Sequence, residues 1–390
     1  MYLFMNFKLI CTGFLMLLLP ISGFAQIVGI ARDSIPNVQN NAAQTLLTAT
    51  AQNSLTIGMY GEVEYLKPQD QNAVLDVHRM VLLLGYRFDE RVQFITEIEM
   101  EHTTELYVEQ AFVNYNVSDA LNLRAGLLLV PMGIINEYHE PTTFNGVSRP
   151  IGDTYLVPTT WREIGVGIAG RFDNLSMRYQ AYVVNGFASE NRGKVLNGQN
   201  GLRNGRQKGG KSIINSPNFA VKLDYYGLSN LRVGLSYYVG QTQSDLEKTA
   251  LDVANVGVNM LGLDVRYSKG SFAARGQFIH AKLSNTSSYN NLYDSDLGSK
   301  MYGWYLEGSF KILDFGNNRS LTLFSRYENV DTHAAVINQM KNGAYHRNSV
   351  TSGFGLALTK GVVFKTDYQR HWNAANDNYA QFNMGIGFWY

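Results

Sequence analysis

The stretch LNLRAGLLLVPMGIINEYHEPTTFNGVSRPIGDTYLVPTTWR, Leu121 to Arg162, changes character partway along. It opens as a strand. Leu121, Leu123, Ala125, Leu127 and Leu129 alternate with Asn122, Arg124 and Gly126, the two-residue period of a sheet with one apolar face. From Pro131 to Thr160 no period is sustained, and Pro131, Pro141, Pro150 and Pro158 are half of the chain's eight prolines. A loop this long inside a folded domain is as a rule functional or disordered. Met132, Ile134, Ile135, Phe144, Ile151, Leu156 and Val157 argue for order, because such side chains need a surface to pack on. Short strands flank the loop on both sides, so the expected surface is the inner wall of a barrel.

Working outward, sixteen candidate strands follow from Ser54 onward: 54–65, 74–88, 91–101, 105–116, the strand from Leu121, 161–172, 175–186, 217–226, 231–240, 257–268, 271–283, 301–312, 319–329, 348–359, 362–372 and 379–390. The face of 105–116 is ambiguous. Tight turns follow the even-numbered strands and mostly longer loops follow the odd ones. That alternation, with an even strand count, fits a bacterial outer-membrane barrel: short periplasmic turns, longer outer loops and no free edge. The expected fold is therefore an all-β, transmembrane antiparallel β-barrel of about sixteen strands, residues 54–390, with its third outer loop folded inward. The 24 Tyr, 20 Phe and 37 Gly suit such a barrel. Tyr86, Phe88, Trp161, Phe172, Tyr225, Tyr267, Trp304, Phe310 and Trp372 fall near strand ends, where interfacial girdles are expected. A secreted sandwich or propeller is the soluble alternative.

Residues 1–25 read as a secretory signal peptide, with Lys8, an apolar core from Leu9 to Ile21 and a small-residue site at Gly23-Phe24-Ala25. That apolar run is too short to span a bilayer. Residues 26–53 read as a periplasmic lead-in with a helical turn around Ala42–Leu47. The one cysteine, Cys11, lies in the signal segment, so a disulfide framework or cysteine-based metal site is excluded from the mature chain. Loss of Lys8 leaves 32 basic against 32 acidic residues, with no bias toward nucleic acid. No G-x-S-x-G, P-loop or H-E-x-x-H motif occurs, and the histidines show no ligand spacing, so no enzyme, cofactor or metal is expected.

The segment AGLLLVPMGIINEYHEPTTFNGVSRP, Ala125 to Pro150, resembles the corresponding region of the phosphate-selective porin O/P family of Bacteroidota-type outer membranes. The likeness covers 121–163 closely and 54–390 loosely. It implies a sixteen-stranded barrel, a homotrimer, and a third outer loop that narrows the pore. The final Phe388-Trp389-Tyr390 resembles the terminal signal read by the outer-membrane insertion machinery.

Glu137, His139, Glu140, Arg149 and Asp153 are the candidate constriction residues; they either narrow the pore or only fix the loop by ion pairs. His139 either titrates near neutral pH and gates, or simply hydrogen-bonds. Expected pore-lining charges include Arg79, Arg124, Arg171, Arg178 and Lys365 against Glu97, Glu99, Glu101 and Glu163. The two signs nearly balance, and no ring of one sign is evident. Asn191 to Lys211 is a basic, acid-free loop with Arg192, Lys194, Arg203, Arg206, Lys208 and Lys211. Its composition reads as a flexible, solvated loop; otherwise it gathers anions at the mouth or binds lipopolysaccharide phosphates. Three roles stand: a porin for passive diffusion of small hydrophilic solutes, a phosphate- or anion-selective channel, and a non-transport surface barrel.

Overall fold

Every backbone polar group at membrane depth has to be paired within the structure, and alternating strands achieve that only by closing on themselves. The computed structural model describes residues 40–52, 54–190, 195–246 and 253–390, and it has that closure. The strands are β1 (Leu55–Pro68), β2 (Val74–Arg87), β3 (Val92–Glu101), β4 (Glu105–Ser118), β5 (Leu121–Leu129), β6 (Arg162–Phe172), β7 (Met177–Val184) and β8 (Asn218–Leu228). They continue as β9 (Leu231–Gln241), β10 (Gly257–Lys269), β11 (Phe272–Ser284), β12 (Lys300–Gly316), β13 (Arg319–Ala335), β14 (His346–Thr359), β15 (Val362–Asn373) and β16 (Asn378–Trp389). Each pairs antiparallel with its sequence neighbours, and β1 seals the ring against β16 with Tyr60 opposite Trp389.

The two faces of the wall differ as the alternation demands. Leu55, Ile57, Leu75, Val166, Leu306 and Phe310 are exposed on the outside, whereas Tyr60, Glu62, Arg79, Glu97, Lys222 and Arg326 are buried inside. A band of bare apolar side chains is a liability in water and the natural outer surface of a barrel in lipid. No helix among the described residues is long and apolar enough to cross a membrane.

Two bulges re-aim the wall. In β4 the register slips between Glu97 and Ile98, so Glu109 and Gln110 both point inward; this is why the strand has no clean face in sequence. In β2 it slips opposite Glu62 and Glu64, which stand in register with Arg79 and Asp76 respectively. At Gly126 on β5, φ is +138° and an added Cβ would lie 2.2 Å from the Ala111 carbonyl oxygen.

The outward girdle positions hold for Tyr86, Phe88, Phe172, Tyr225, Trp304 and Phe310. Trp161 is a correction: it is fully buried, stacked at 4.4 Å on Phe187, with its indole N–H donating to Glu163 at 2.9 Å.

The barrel interior is partly occupied by a helix and the long loop. Helix α1 (Ala42–Gln52) starts at Asn41, whose side chain accepts from the Gln44 amide at 3.0 Å. Ala42, Ala43 and Leu46 are buried, and Gln93 donates to the Leu47 carbonyl at 2.9 Å. Gly85 leaves room for Thr50, whose hydroxyl would sit 2.2 Å from a Cβ there. Both Gly85 and Gln93 are on the inner wall beside the tight β2–β3 turn. The lead-in therefore contains a longer helix than one turn at Ala42–Leu47, and that helix packs inside the barrel. The expected signal peptide and residues 26–39 lie outside the described residues.

Candidate functional site in the barrel lumen

The long loop between β5 and β6 is pinned at its base by Asn136. Its side-chain amide donates to the Val130 and Trp161 carbonyls at 2.8 and 3.0 Å, and its oxygen accepts from the Trp161 amide at 2.7 Å. From there the loop crosses to the far wall. Gly133 (φ +74°) turns it so that the Ile134 amide donates to Gln277 of β11 at 2.6 Å. Gln277 also donates to Asp153, in the short helix α2 (Gly152–Tyr155), at 3.2 Å. Wall carboxylates then take loop amides: Asp367 from Val147 and Glu328 from Ile151, each at 2.6 Å. Arg326 donates to the Asn145 and Ser148 carbonyls at 3.3 and 3.2 Å. A loop with no strand of its own thus borrows the side chains of the wall to satisfy its backbone.

Two ionic networks fix its apex. Glu137 is buried against Lys222 at 2.5 Å, Gln180 at 2.6 Å and Arg178 at 3.3 Å. Lys222 also meets Asp264 at 3.0 Å, while Arg178 and Arg232 meet Asp224 at 3.0 and 2.7 Å. On the other side, Tyr60 donates to Glu109 at 2.7 Å and stands 2.9 Å from His139 Nε2, which is 3.3 Å from Glu109 and 3.7 Å from Glu97. Arg79 bonds Glu62 at 2.7 Å and also the His139 carbonyl. Burial opposes a charge on His139, but the Glu109 and Glu97 carboxylates outweigh it and lift its pKa to about 10. Glu140 accepts the Ala42 backbone N–H, tying loop to α1.

Above this layer is a cavity of about 350 Å³. Its lining includes Glu62, Glu64, Glu99, Glu101 and Glu105 from β1, β3 and β4, and Arg149, Arg162, Arg203, Arg206 and Lys208 from the loops after β5 and β7 and the start of β6. Carboxylates and cations thus share one cavity lining, a concentration of charge that neither net charge nor a strand-by-strand tally reveals. The described part of the basic loop is folded: Leu196 and Leu202 are fully buried, Arg206 donates to the Pro158 carbonyl at 3.0 Å, and Lys208 lies 4.5 Å over the Tyr107 ring. This corrects its reading as a flexible, solvated loop. Arg192 and Lys194 lie outside the described residues.

The sequence-expected residues sort as follows. Arg149 lines the cavity with Glu99 and Glu101, and Asp153 reaches it. Glu137, His139 and Glu140 serve the loop's attachment, with Arg79, Arg178 and Glu97 as wall partners. Arg124 lies away from the cavity, bonded to Asn114 and Tyr182 at 3.1 and 3.0 Å. Glu163 accepts from Trp161 and the Gly186 amide, each at 2.9 Å. Lys365 is buried 3.8 Å from the Phe144 ring centroid. Arg171 is a correction: it is half-exposed beside the turn residue Asp173 at 3.2 Å, at the opposite end from the cavity. Sequence reasoning passed over Tyr60, Glu109, Asn136 and Gln277; only Glu109-Gln110, an adjacent polar pair in a strand, carried a signal.

No protein-family model matches the chain. It belongs to one family with a protein of Aquifex aeolicus (strain VF5) described as uncharacterized, 35% identical over 302 residues that cover 72% of this chain and 67% of that one. Among solved structures it is similar to the outer membrane channel DcaP of Acinetobacter baumannii (TM-score 0.58, 11% identity, 86% of this chain and 97% of that one). It is similar also to the anion-selective porin of Comamonas acidovorans (TM-score 0.57, 12% identity, 86% and 99%). A third is OmpT of Vibrio cholerae in its trimer form (TM-score 0.55, 10% identity, 87% and 100%). At these identities the likeness is one of fold, that of an outer-membrane porin barrel.

Proposed function

We propose that the chain is an outer-membrane porin of a Gram-negative bacterium, passing small hydrophilic solutes or ions through a barrel narrowed by the loop 130–161. The observation that carries this reading is the cavity over the loop, lined by glutamates together with arginines and a lysine, whose mixed charges set up a strong local field. Such a field orders water and favours small polar solutes over apolar ones, while opposite signs keep ion preference weak. Steady ohmic steps with weak ion preference, from refolded protein in a planar bilayer under a KCl gradient, are the expected result. A demonstrably folded barrel without conductance refutes it and leaves a non-transport surface protein.

A phosphate- or anion-selective channel, as the phosphate-selective porin O/P resemblance implies, is the second reading. It is favoured by the gathering of Arg149, Arg162, Arg203, Arg206 and Lys208 around one cavity, because guanidinium groups suit phosphate oxygens. Anion preference with block by added phosphate selects it. Export by a signal peptide cleaved after Ala25, insertion through Phe388-Trp389-Tyr390, contact with lipopolysaccharide and assembly as a homotrimer belong to the same proposal. Mass measurement of the detergent-extracted protein by light scattering tests the last.

A further inference from the structure

A second chemistry is built into the outer rim of the lumen, where β1, β2 and the tight turn after β3 meet. The bulge in β2 sets Asp76 opposite Glu64. His78 Nδ1 lies 3.8 Å from Asp76 Oδ2 and 3.9 Å from Glu64 Oε2, beyond hydrogen-bond reach of either. His102 arrives on the β3–β4 turn, held by its amide bonding the His78 carbonyl at 3.3 Å, and its Nδ1 is 2.6 Å from the same Asp76 oxygen. The imidazoles stand edge to face at 5.6 Å. The donor atoms of Asp76, His78 and His102 all lie within 4.8 Å of one another, as do those of Glu62, Glu64 and His78.

We propose that Asp76, His78 and His102 form a three-ligand site for a zinc-class divalent transition metal at the outer mouth of the barrel. Two imidazoles with a carboxylate are the ligand chemistry of zinc and its neighbours rather than of calcium or magnesium, which take oxygen sets. Metal–ligand bonds of about 2.0–2.2 Å put tetrahedral ligand atoms roughly 3.3–3.6 Å apart. The spacings to Asp76 of 2.6 and 3.8 Å bracket that, and all three donor atoms lie within 4.8 Å of one another, so side-chain shifts of about an ångström suffice. Asp76, His78 and His102 side chains are 24%, 31% and 47% exposed, which gives an ion a route in. The other His–carboxylate grouping, Glu97, Glu109 and His139, does not compete. Its carboxylates already accept from Tyr60, Thr160 and Gln110, and it is fully buried.

The site does not depend on the porin reading. Its test is Co²⁺ titration of the refolded barrel in detergent, followed by d–d absorption, with Zn²⁺ as competitor. The expected result is saturable tetrahedral bands that Zn²⁺ abolishes. His78→Asn and His102→Asn each weaken Co²⁺ binding at least about tenfold, whereas His346→Asn does not. Folding of each variant is checked by heat-modifiable gel migration; if a histidine variant does not fold, Asp76→Asn carries the same expectation. Absence of the bands in folded wild-type protein, or unchanged binding in either rim variant, overturns the proposal.

Discussion

Glu137→Gln isolates the electrostatic part of loop docking, because it removes a charge and almost no volume. In the docked loop this carboxylate meets Lys222 Nζ at 2.5 Å and Arg178 at 3.3 Å, with side-chain exposures of 3% for Glu137 and 0% for Lys222. Stranding a buried charge costs about 3–5 kcal/mol. Here neither cation is stranded, since Lys222 keeps Asp264 at 3.0 Å and Arg178 keeps Asp224 at 3.0 Å. The loss is closer to that of a charged hydrogen bond, about 1.5–3 kcal/mol. It falls on the docked state alone, because Glu137 in a released loop would be hydrated. At about 1.4 kcal/mol per decade, the released fraction rises about 10- to 150-fold. Amide hydrogen exchange of the 134–138 segment reads that factor directly, and single-channel recordings read it as added flicker to higher conductance. Unchanged exchange in Glu137→Gln would show that these ion pairs do not hold the loop, however close they stand.

Further outcomes follow from other parts of the lumen. Replacing Arg203, Arg206 and Lys208 by alanine strips basic charge from the cavity, so the reversal potential in a KCl gradient should move toward cation preference; Glu99→Gln with Glu101→Gln should move it the other way. Burial pushes the Asp153 carboxyl up to about 7 in the docked loop, against an ordinary 3.8. The docked state then holds a proton that the released one has lost, so docking weakens as pH rises from about 4 to 7 and is flat above; Asp153→Asn should abolish that slope in the exchange assay. Gly126→Ala places a Cβ 2.2 Å from the Ala111 oxygen at φ +138° and should depress refolding yield, scored by heat-modifiable migration. Leu46→Ala, at 2% exposure, should cost α1 about 2–5 kcal/mol and strip its exchange protection.

The wall was legible because its physics is local. A strand with lipid on one side and lumen on the other has to alternate, and the alternation of tight turns with longer loops needs no knowledge of distant contacts. Strand ends at Val74, Leu121, Phe172 and Leu231 follow from this alone. The failures are non-local. β4 was ambiguous because one extra residue at Glu109 reverses its phase, and nothing beside it in the chain announces a bulge. Trp161 looked interfacial from its place at a strand end, yet the loop returning behind it covers it on Phe187 and Tyr238. The basic loop looked solvated because its glycines and arginines dominate its composition. Leu196 and Leu202 were enough to fold it into the mouth, and that depends on a cavity the sequence does not display. Likewise His78 and His102 are 24 positions apart in the chain, and only the β2–β3 pairing unites them.

The near balance of charge in the lumen takes on a different meaning once partners are assigned. Arg79 is taken by Glu62, Arg178 and Arg232 by Asp224, Lys222 by Glu137 and Asp264, Arg275 by Glu307, and Arg326 by Glu307 and Glu328. These pairs are short and buried, and many also hold loop atoms, so they are neutral mortar between wall and loop. In the porin reading a solute meets instead the charges that line the cavity, Glu64, Glu99, Glu101 and Glu105 together with Arg149, Arg162, Arg203, Arg206 and Lys208. On the proposed function, selectivity would then be set by these rim residues and not by the total. Four of those cations come from the loops after β5 and β7 and the fifth, Arg162, from the start of β6, while the glutamates belong to strands. Loop replacement alone would then turn the same barrel from mixed to strongly cation-preferring, whereas substitutions deep in the wall would first be felt as loosening of the loop.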